Sequence, residues 1–263
     1  METFVKTSID DGIGQVILNR PEKRNALTRD MIQQLESGIA ALSKDETIRV
    51  VVLKAEGSVF CAGMDLGEMQ ERANSDDGQA EWQKDSEVYA NCLQAIFELK
   101  VPTIAVLQGP TLAGGVGMVL ACDFILAATE SFFMLPEPAR GITAAIVTPF
   151  LNFRVAPGVA NHLLLSGERM SANRASQVGL VYDVVSSTEL NARTDKLINA
   201  ILTGSRSALA ITKSHLQDCL AYDLRQQLAQ SIKVSAEARE TEDAREGLAA
   251  FIEKRSPTWK PKS

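Results

Sequence analysis

The chain has 263 residues, 45% of them hydrophobic and 23% charged, enough for one main domain with a substantial core and a small appended segment. A net charge of −6 offers no basic field to gather nucleic acid and leaves room only for a local cationic patch against a phosphorylated ligand. The four cysteines form no C-x-x-C pair, the two histidines do not cluster, and no apolar run reaches the roughly 18–20 residues of a membrane span; we therefore expect a cytoplasmic protein with no metal, no membrane association and no N-terminal leader.

From the start of the chain, Phe4–Ile9 and Ile13–Asn19 alternate as two strands about the turn Asp10-Asp11-Gly12. Arg20–Leu27 leads into Thr28, an N-cap for a helix whose apolar face carries Met31, Ile32, Leu35, Ile39 and Leu42. On pattern alone, Lys23 and Arg24 read as solvated charges. Arg49–Ala55 is an apolar strand running towards Phe60-Cys61-Ala62-Gly63-Met64-Asp65-Leu66, a turn of small residues at the start of a helix. Glu68–Asp77 is polar and reads as a loop, mobile over Asn74–Gly78, of the kind that borders substrate sites. A long helix is expected over Gln79–Leu99, striped by Trp82, Val88, Cys92, Leu93, Ile96 and Phe97 and stopped by Pro102.

The strand Thr103–Leu107 meets a run, Gln108–Met118, that holds four glycines at the start of another helix. Glycine inside an element weakens it by roughly 0.5–1 kcal/mol relative to alanine. The cluster therefore points either to a backbone N–H aimed at an anion or developing oxyanion, or to close packing of helix on sheet. It lacks the spacing and the Lys-Ser/Thr pair of a phosphate loop. With the Phe60–Leu66 turn, one sheet offers two such backbone donors. Two converging N–H groups can hold a thioester oxygen as it takes on charge, an effect worth roughly 3–4 kcal/mol per donor.

That helix ends near Cys122 and the strand Phe124–Ala128 follows. Strand, turn and helix have by then recurred three times, the signature of parallel βαβ units with right-handed crossovers and ligands at the carboxyl ends of the strands. Phe132–Pro138 is short and apolar around a single carboxylate, and Pro138 biases Glu137 away from helical dihedrals. Glu137 reads either as a solvated glutamate or as one whose pKa is raised by Phe133, Met134 and Leu135 towards the range of a proton-transferring group. Helices are expected at Thr148–Val155, Gly158–Ser166, Ser171–Val178, Thr188–Leu202, Arg206–Ala221, Asp223–Arg239 and Asp243–Phe251, with one strand at Leu180–Val185.

Taken together these pieces resemble the enoyl-CoA hydratase/isomerase, or crotonase, family over nearly the whole chain, from Val16 to about Trp259. Leu18-Asn19-Arg20-Pro21 with Asn25-Ala26-Leu27 is similar to the family's opening signature. Phe60–Leu66 and Gly109–Asp123 are similar to its two oxyanion turns, and Leu135-Pro136-Glu137 to the segment bearing its acid. Leu164–Glu168 with Ala172 and Ala175, and Phe251–Arg255, match its later helical signature and its ending. The runs Ala113–Gly117 and Ala145–Phe150 are similar to bacterial branched-chain hydratases, methylglutaconyl-CoA hydratase-like sequences among them.

The resemblance implies an α/β fold: a crotonase-like ββα spiral core over residues 1–200, and a C-terminal helical segment, 201–263, for trimerisation and active-site cover. It implies an acyl-CoA thioester as substrate, coenzyme A being part of that substrate and no separate cofactor being needed, and assembly as a homotrimer or a homohexamer of paired trimers. It assigns the oxyanion hole to the backbone N–H groups of Met64 and Gly114, with Gly63 and Gly115 as supporting backbone, and proton transfer to Glu137. Arg24, Ala26, Ala62, Asp65 and Leu66 would border the CoA moiety, and Lys254 a phosphate of a neighbouring subunit's ligand.

One departure stands out. Two-carboxylate hydratases of this family carry a glutamate where this chain has Gly117, and only the second acid, matching Glu137, is kept. Three readings follow: hydration of a 2-enoyl-CoA with Glu137 handling the proton and another group orienting water; Δ3-Δ2 enoyl-CoA isomerisation by one glutamate; or acyl-CoA binding with little turnover. A structural or RNA-associating role is open to any fold, but the acidic balance and the absence of aromatic-basic interleaving count against it.

Overall fold

The computed structural model describes residues 2–73, 78–220 and 223–260. β1 (Val5–Asp10) and β2 (Ile13–Leu18) pair antiparallel with Asp10 opposite Ile13. Asp11 and Gly12 both take positive φ, 43° and 77°, as a two-residue hairpin turn requires. α1 (Arg29–Lys44) is capped by Thr28, whose hydroxyl accepts the Met31 N–H at 3.1 Å, and it buries the five apolar residues expected of it.

β3 (Val50–Ala55) follows, and after it comes a departure from the sequence reading. The helix expected to start after the Phe60–Leu66 turn is α2 (Leu66–Ala73), and it takes in Glu68–Ala73 of the expected polar loop. Asp65 Oδ1 accepts the Gly67 N–H at 2.9 Å and so caps it, Glu68 and Arg72 pair along it at 3.0 Å, and Met69 is buried in a cluster with Trp82 and Leu248. Capping and tertiary burial together outweigh a polar composition. Residues 74–77 of the expected mobile loop lie outside the described residues.

α3 (Gly78–Phe97) carries the long apolar stripe, although Val88 is only half-buried and Tyr89 is fully packed. Next come β4 (Thr103–Leu107), β5 (Thr111–Leu112), α4 (Gly114–Leu120), β6 (Phe124–Ala128) and β7 (Phe132–Met134). α5 (Val147–Arg154) and α6 (Pro157–Asn161) lead to β8 (Met170–Ser171), α7 (Ala172–Gln177) and β9 (Asp183–Val185). The helix expected over Gly158–Ser166 widens after Asn161 into a π turn that ends at Gly167 with φ 62°. The strand expected over Leu180–Val185 is confined to its last three residues. The chain closes with α8 (Leu190–Leu202), α9 (Arg206–Leu220), α10 (Leu224–Ala238) and α11 (Glu242–Ile252).

The main sheet runs β1-β2-β3-β4-β6-β9, parallel throughout except for the β1-β2 hairpin. β3, β4 and β6 are buried on both faces, which is why they read as unbroken apolar runs. Val51, Leu53, Ala105, Leu107, Ile125 and Ala127 face the large core shared with α1, α3 and α4. The alternate residues, Val50, Val52, Ile104, Val106, Leu126 and Ala128, pack on Leu190, Leu197, Ile198 and Ile201 of α8. A small sheet, β5-β7-β8, lies beyond the carboxyl end of β4 and carries the chain from the glycine turn to Glu137. Strands of two or three residues are too short to show a period, so this sheet left no mark in the hydropathy pattern. α11 packs on α2 and on the turn that bears Glu137.

Candidate active site

The two turns expected to act together are hydrogen-bonded to each other. Phe60 N–H donates to Pro110 O at 3.0 Å, Leu112 N–H donates to Cys61 O at 2.9 Å, and Cys61 and Thr111 form a parallel bridge. The Arg20–Leu27 segment completes the platform: Ala62 N–H reaches Arg24 O at 3.0 Å, Leu27 N–H reaches Gly63 O at 2.8 Å, and Asp65 N–H reaches Leu27 O at 2.8 Å. Asn25, fully buried, holds this segment in place by donating to Glu56 O and Val59 O and accepting from Arg20 N–H. Among the described residues the N–H groups of Met64 and Gly114 have no acceptor. Both residues line one pocket, so these open donors are available to a ligand there.

The two amides are near neighbours. Gly63 has φ 90°, and a Cβ built there would lie 2.5 Å from Ala113 Cβ and 3.4 Å from Gly114 N. Ala113 is itself in a glycine-like conformation, φ 49° and ψ −126°, which costs an alanine about 1–3 kcal/mol. Bonds on both sides hold it: Ala113 N–H to Met134 O at 2.9 Å, and the Tyr89 hydroxyl to Gly114 O at 2.5 Å. Gly115, one residue on, lies flush against Cys61.

Glu137 opens a 3-10 turn, Glu137–Arg140, that Pro136 and Pro138 set at the end of β7. It is 7% exposed, and its Oε2 is buried with no partner among the described residues. Burial raises its pKa from 4.5 to about 7, against the smaller opposing effects of a hydrogen bond from its own backbone and the charges of Arg140 and Arg239. One pocket is lined by Met64, Leu66, Tyr89, Gly114, Glu137, Arg140 and Arg239, and Glu137 is the only carboxylate among the described residues that line it. The expected acid and the two expected amides therefore meet in one cavity.

The remaining expected residues divide. Ala26, Ala62 and Gly63 belong to the hydrogen-bonded segments of the platform, and of the four only Leu66 lines the cavity. Asp65 is engaged in structure: its Oδ2 pairs with Arg20 at 2.6 Å and its Oδ1 caps α2, so its pKa is lowered by these contacts in spite of the opposing effect of its partial burial. Arg24 has an exposed side chain and contributes its carbonyl to the Ala62 turn. Lys254 is exposed just after α11, at φ 56°, and lines none of the cavities next to Glu137.

Tyr89, Arg140 and Arg239 escaped the sequence reading. Ser86, Tyr89, Leu93 and Ile96 recur at helical spacing, and that register was the available signal for Tyr89. Arg239 lies over the Trp82 ring at 5.6 Å and donates to Ser86 Oγ at 2.8 Å, while its Nε is buried without an acceptor among the described residues. Only the tertiary fold brings this arginine of the chain's end to the cavity.

Comparison with known proteins agrees with this geometry. The sequence model described as enoyl-CoA hydratase/isomerase matches residues 8–262. The chain is 32% identical over 259 residues to a mouse protein named enoyl-CoA hydratase domain-containing protein 3, mitochondrial, with 97% of this chain and 84% of that protein covered. It superposes with a TM-score of 0.86 on the crystal structure of an enoyl-CoA hydratase from Mycobacterium avium, at 31% identity over 99% of this chain and 100% of the other. A TM-score of 0.89 relates it to an enoyl-CoA hydratase/isomerase from Xanthobacter autotrophicus Py2, at 27% identity with both chains covered in full.

Proposed function

This chain belongs to the enoyl-CoA hydratase/isomerase family, with the crotonase fold and an acyl-CoA thioester as its class of substrate, and on that premise we propose that it adds water across the 2,3 double bond of a 2-enoyl-CoA. The observation that carries this reading is the meeting of two acceptor-less amides, Met64 and Gly114, with the buried Glu137 in one cavity. The thioester carbonyl oxygen accepts from both amides. Glu137 takes a proton from water as the water oxygen bonds to C3 and the double-bond electrons move onto the thioester. The enolate oxygen rests on the two N–H groups, and Glu137 returns the proton to C2. One water is consumed and the carboxylate is regenerated. A base with a pKa of about 7 suits both halves of that cycle near neutral pH.

Arg24, Ala26, Ala62, Gly63, Asp65, Leu66 and Gly115 form the side on which we place the CoA moiety, supported by the backbone platform that joins them. The segment 201–263 is proposed to cover the site and to join subunits into a trimer or hexamer, with Lys254 reaching a phosphate in a neighbour. Exposed Ile211, Leu216, Val234, Phe251 and Ile252 on that segment support such contacts. We place the protein in the cytoplasm; the free thiols of Cys61, Cys92, Cys122 and Cys219 fit a reducing compartment.

A second reading, Δ3-Δ2 enoyl-CoA isomerisation, is favoured by one observation: Glu137 is the one carboxylate among the described residues that line the pocket, and one suffices to remove a proton at one carbon and return it at another. Loss of conjugated enoyl-thioester absorbance with straight and branched 2-enoyl-CoAs supports hydration. Gain of that absorbance from 3-enoyl-CoAs, with none lost from the 2-enoyl panel, favours isomerisation. Binding of acyl-CoA with no turnover of either panel would leave a binding protein.

A further inference from the structure

Hydration needs a group to hold the attacking water, and Gly117 has no side chain to do so. The space in front of it is nevertheless filled. A Cβ built on Gly117 would lie 2.2 Å from the Tyr89 hydroxyl oxygen, and 3.0 and 3.2 Å from methyl groups of Leu93 and Val147. The hydroxyl of a residue on α3 thus stands where a side chain from α4 would begin.

We propose that the Tyr89 hydroxyl oxygen is the water anchor of this site, receiving one hydrogen of the attacking water while Glu137 receives the other. The inference rests on the hydratase reading and names the group that reading lacked. Three observations carry it. Tyr89 lines the same cavity as Met64, Gly114 and Glu137. Its single proton is committed, since it donates to Gly114 O at 2.5 Å. A phenol oxygen that donates once still has acceptor capacity, and among the described residues no donor uses it. The second acceptor is in place as well, because Glu137 Oε2 is buried and unpartnered. A buried water is held by two to four polar partners. Both hydrogens of one water are then bound on the protein side, and its lone pair is directed at C3 of the thioester.

Burial, reinforced by Cys61, Cys92 and Glu137, keeps the Tyr89 pKa well above its ordinary value of 10. The phenol therefore keeps its proton for Gly114 over the working pH range and takes no part in acid–base transfer. In the chemical step the water hydrogen facing Glu137 is transferred. The hydrogen facing Tyr89 stays on oxygen and becomes the hydroxyl hydrogen of the product.

The test separates holding water from bracing Gly114. Removal of a C2 proton from a saturated acyl-CoA in D2O, followed by NMR, needs the oxyanion amides and Glu137 but no nucleophilic water. With Tyr89→Phe we expect kcat for hydration of the best 2-enoyl-CoA to fall about 100-fold, while C2 exchange on the corresponding saturated thioester, which feels only the lost bond to Gly114 O, falls at least about 10-fold less. Rebuilding the missing acid gives a second, independent measurement: Tyr89→Ala with Gly117→Glu is expected to hydrate at least about 10-fold faster than Tyr89→Ala alone. Equal loss of hydration and exchange in Tyr89→Phe, together with no rescue by Gly117→Glu, overturns the inference, because Tyr89 would then act only through Gly114. Undiminished hydration by Tyr89→Phe also overturns it. A wild-type protein that exchanges C2 protons yet hydrates no 2-enoyl-CoA removes the hydratase reading itself, and the anchor with it.

Discussion

Gly63 and Ala113 touch so closely that a methyl group added to Gly63 would sit 2.5 Å from the methyl of Ala113. This contact fixes the separation of the two turns that present the open amides. Gly63 has φ 90°, so alanine there meets backbone strain and steric overlap together. Gly63→Ala is expected to lower thermal stability and to cut kcat/KM for a 2-enoyl-CoA by about 100-fold or more, as for loss of one oxyanion donor. Melting temperature and steady-state absorbance kinetics on the purified variant check both parts.

Glu137 has a pKa of about 7 against an ordinary 4.5, so the rate and the stability follow pH in opposite senses. Water activation needs the carboxylate, and kcat/KM for hydration is expected to rise with pH up to about 7 and then level off. For stability, folded and unfolded states are both protonated below about 4.5 and the group makes no difference. Between those values the unfolded chain ionises first, and unfolding becomes easier by up to roughly 3 kcal/mol as pH climbs past the folded pKa. Glu137→Gln is expected to lose about 1,000-fold in kcat, to lose the acidic limb of the profile, and to resist urea better than wild type at pH 8 but not at pH 4.

Gly247 of α11 lies against the carbonyl oxygen of Arg140, at the end of the Glu137 turn, and a Cβ there would come within 2.1 Å of that oxygen. Backbone cannot give way as a side chain can. Gly247→Ala is therefore expected to displace the acid's turn and to lower kcat about tenfold or more, with the KM for the thioester little altered because the CoA platform is built from other segments. Steady-state kinetics separate the two constants.

Lys213 on α9 is 7% exposed and donates to Asp123 at 2.7 Å and to the Val101 carbonyl at 3.1 Å. Asp123 also accepts from the Thr103 N–H and hydroxyl. Asp123 is only partly buried and keeps its Thr103 donors, so removing Lys213 costs about 1–3 kcal/mol, the range for losing a hydrogen bond to a charged group. Lys213→Met is expected to lower the urea midpoint accordingly, while the fraction that stays folded keeps its rate constants, since neither residue lines the cavity at Glu137.

The sequence made the parallel core legible because strands buried on both faces must be apolar throughout, and Thr28 with the five buried residues of α1 gave a helix its start and its inner face. The two small-residue turns were legible as turns at the ends of strands, but the glycine pattern alone allowed close packing as well as open amides, and their proposed joint role came from the family resemblance. Tyr89 was hidden. Its role follows from contact between two helices, and a tyrosine in a core stripe reads the same whether or not its hydroxyl meets a cavity. The extension of α2 through Glu68–Ala73 was missed because its stability comes from the Asp65 cap and from Met69 packing beside Trp82 and Leu248, partners far apart in the chain. Arg239 was out of reach for the same reason.

The seating of α11 on the turn of Glu137 sets an order of events during biosynthesis. Glu137 leaves the ribosome roughly 100 residues before the helix that packs on its turn, and Gly114 and Met64 leave earlier still, so a nascent chain holds all three proposed reacting groups before that helix exists. A chain shortened ahead of residue 242 is expected to lose the seat of Gly247 against the Arg140 carbonyl, and with it the support of the acid's turn.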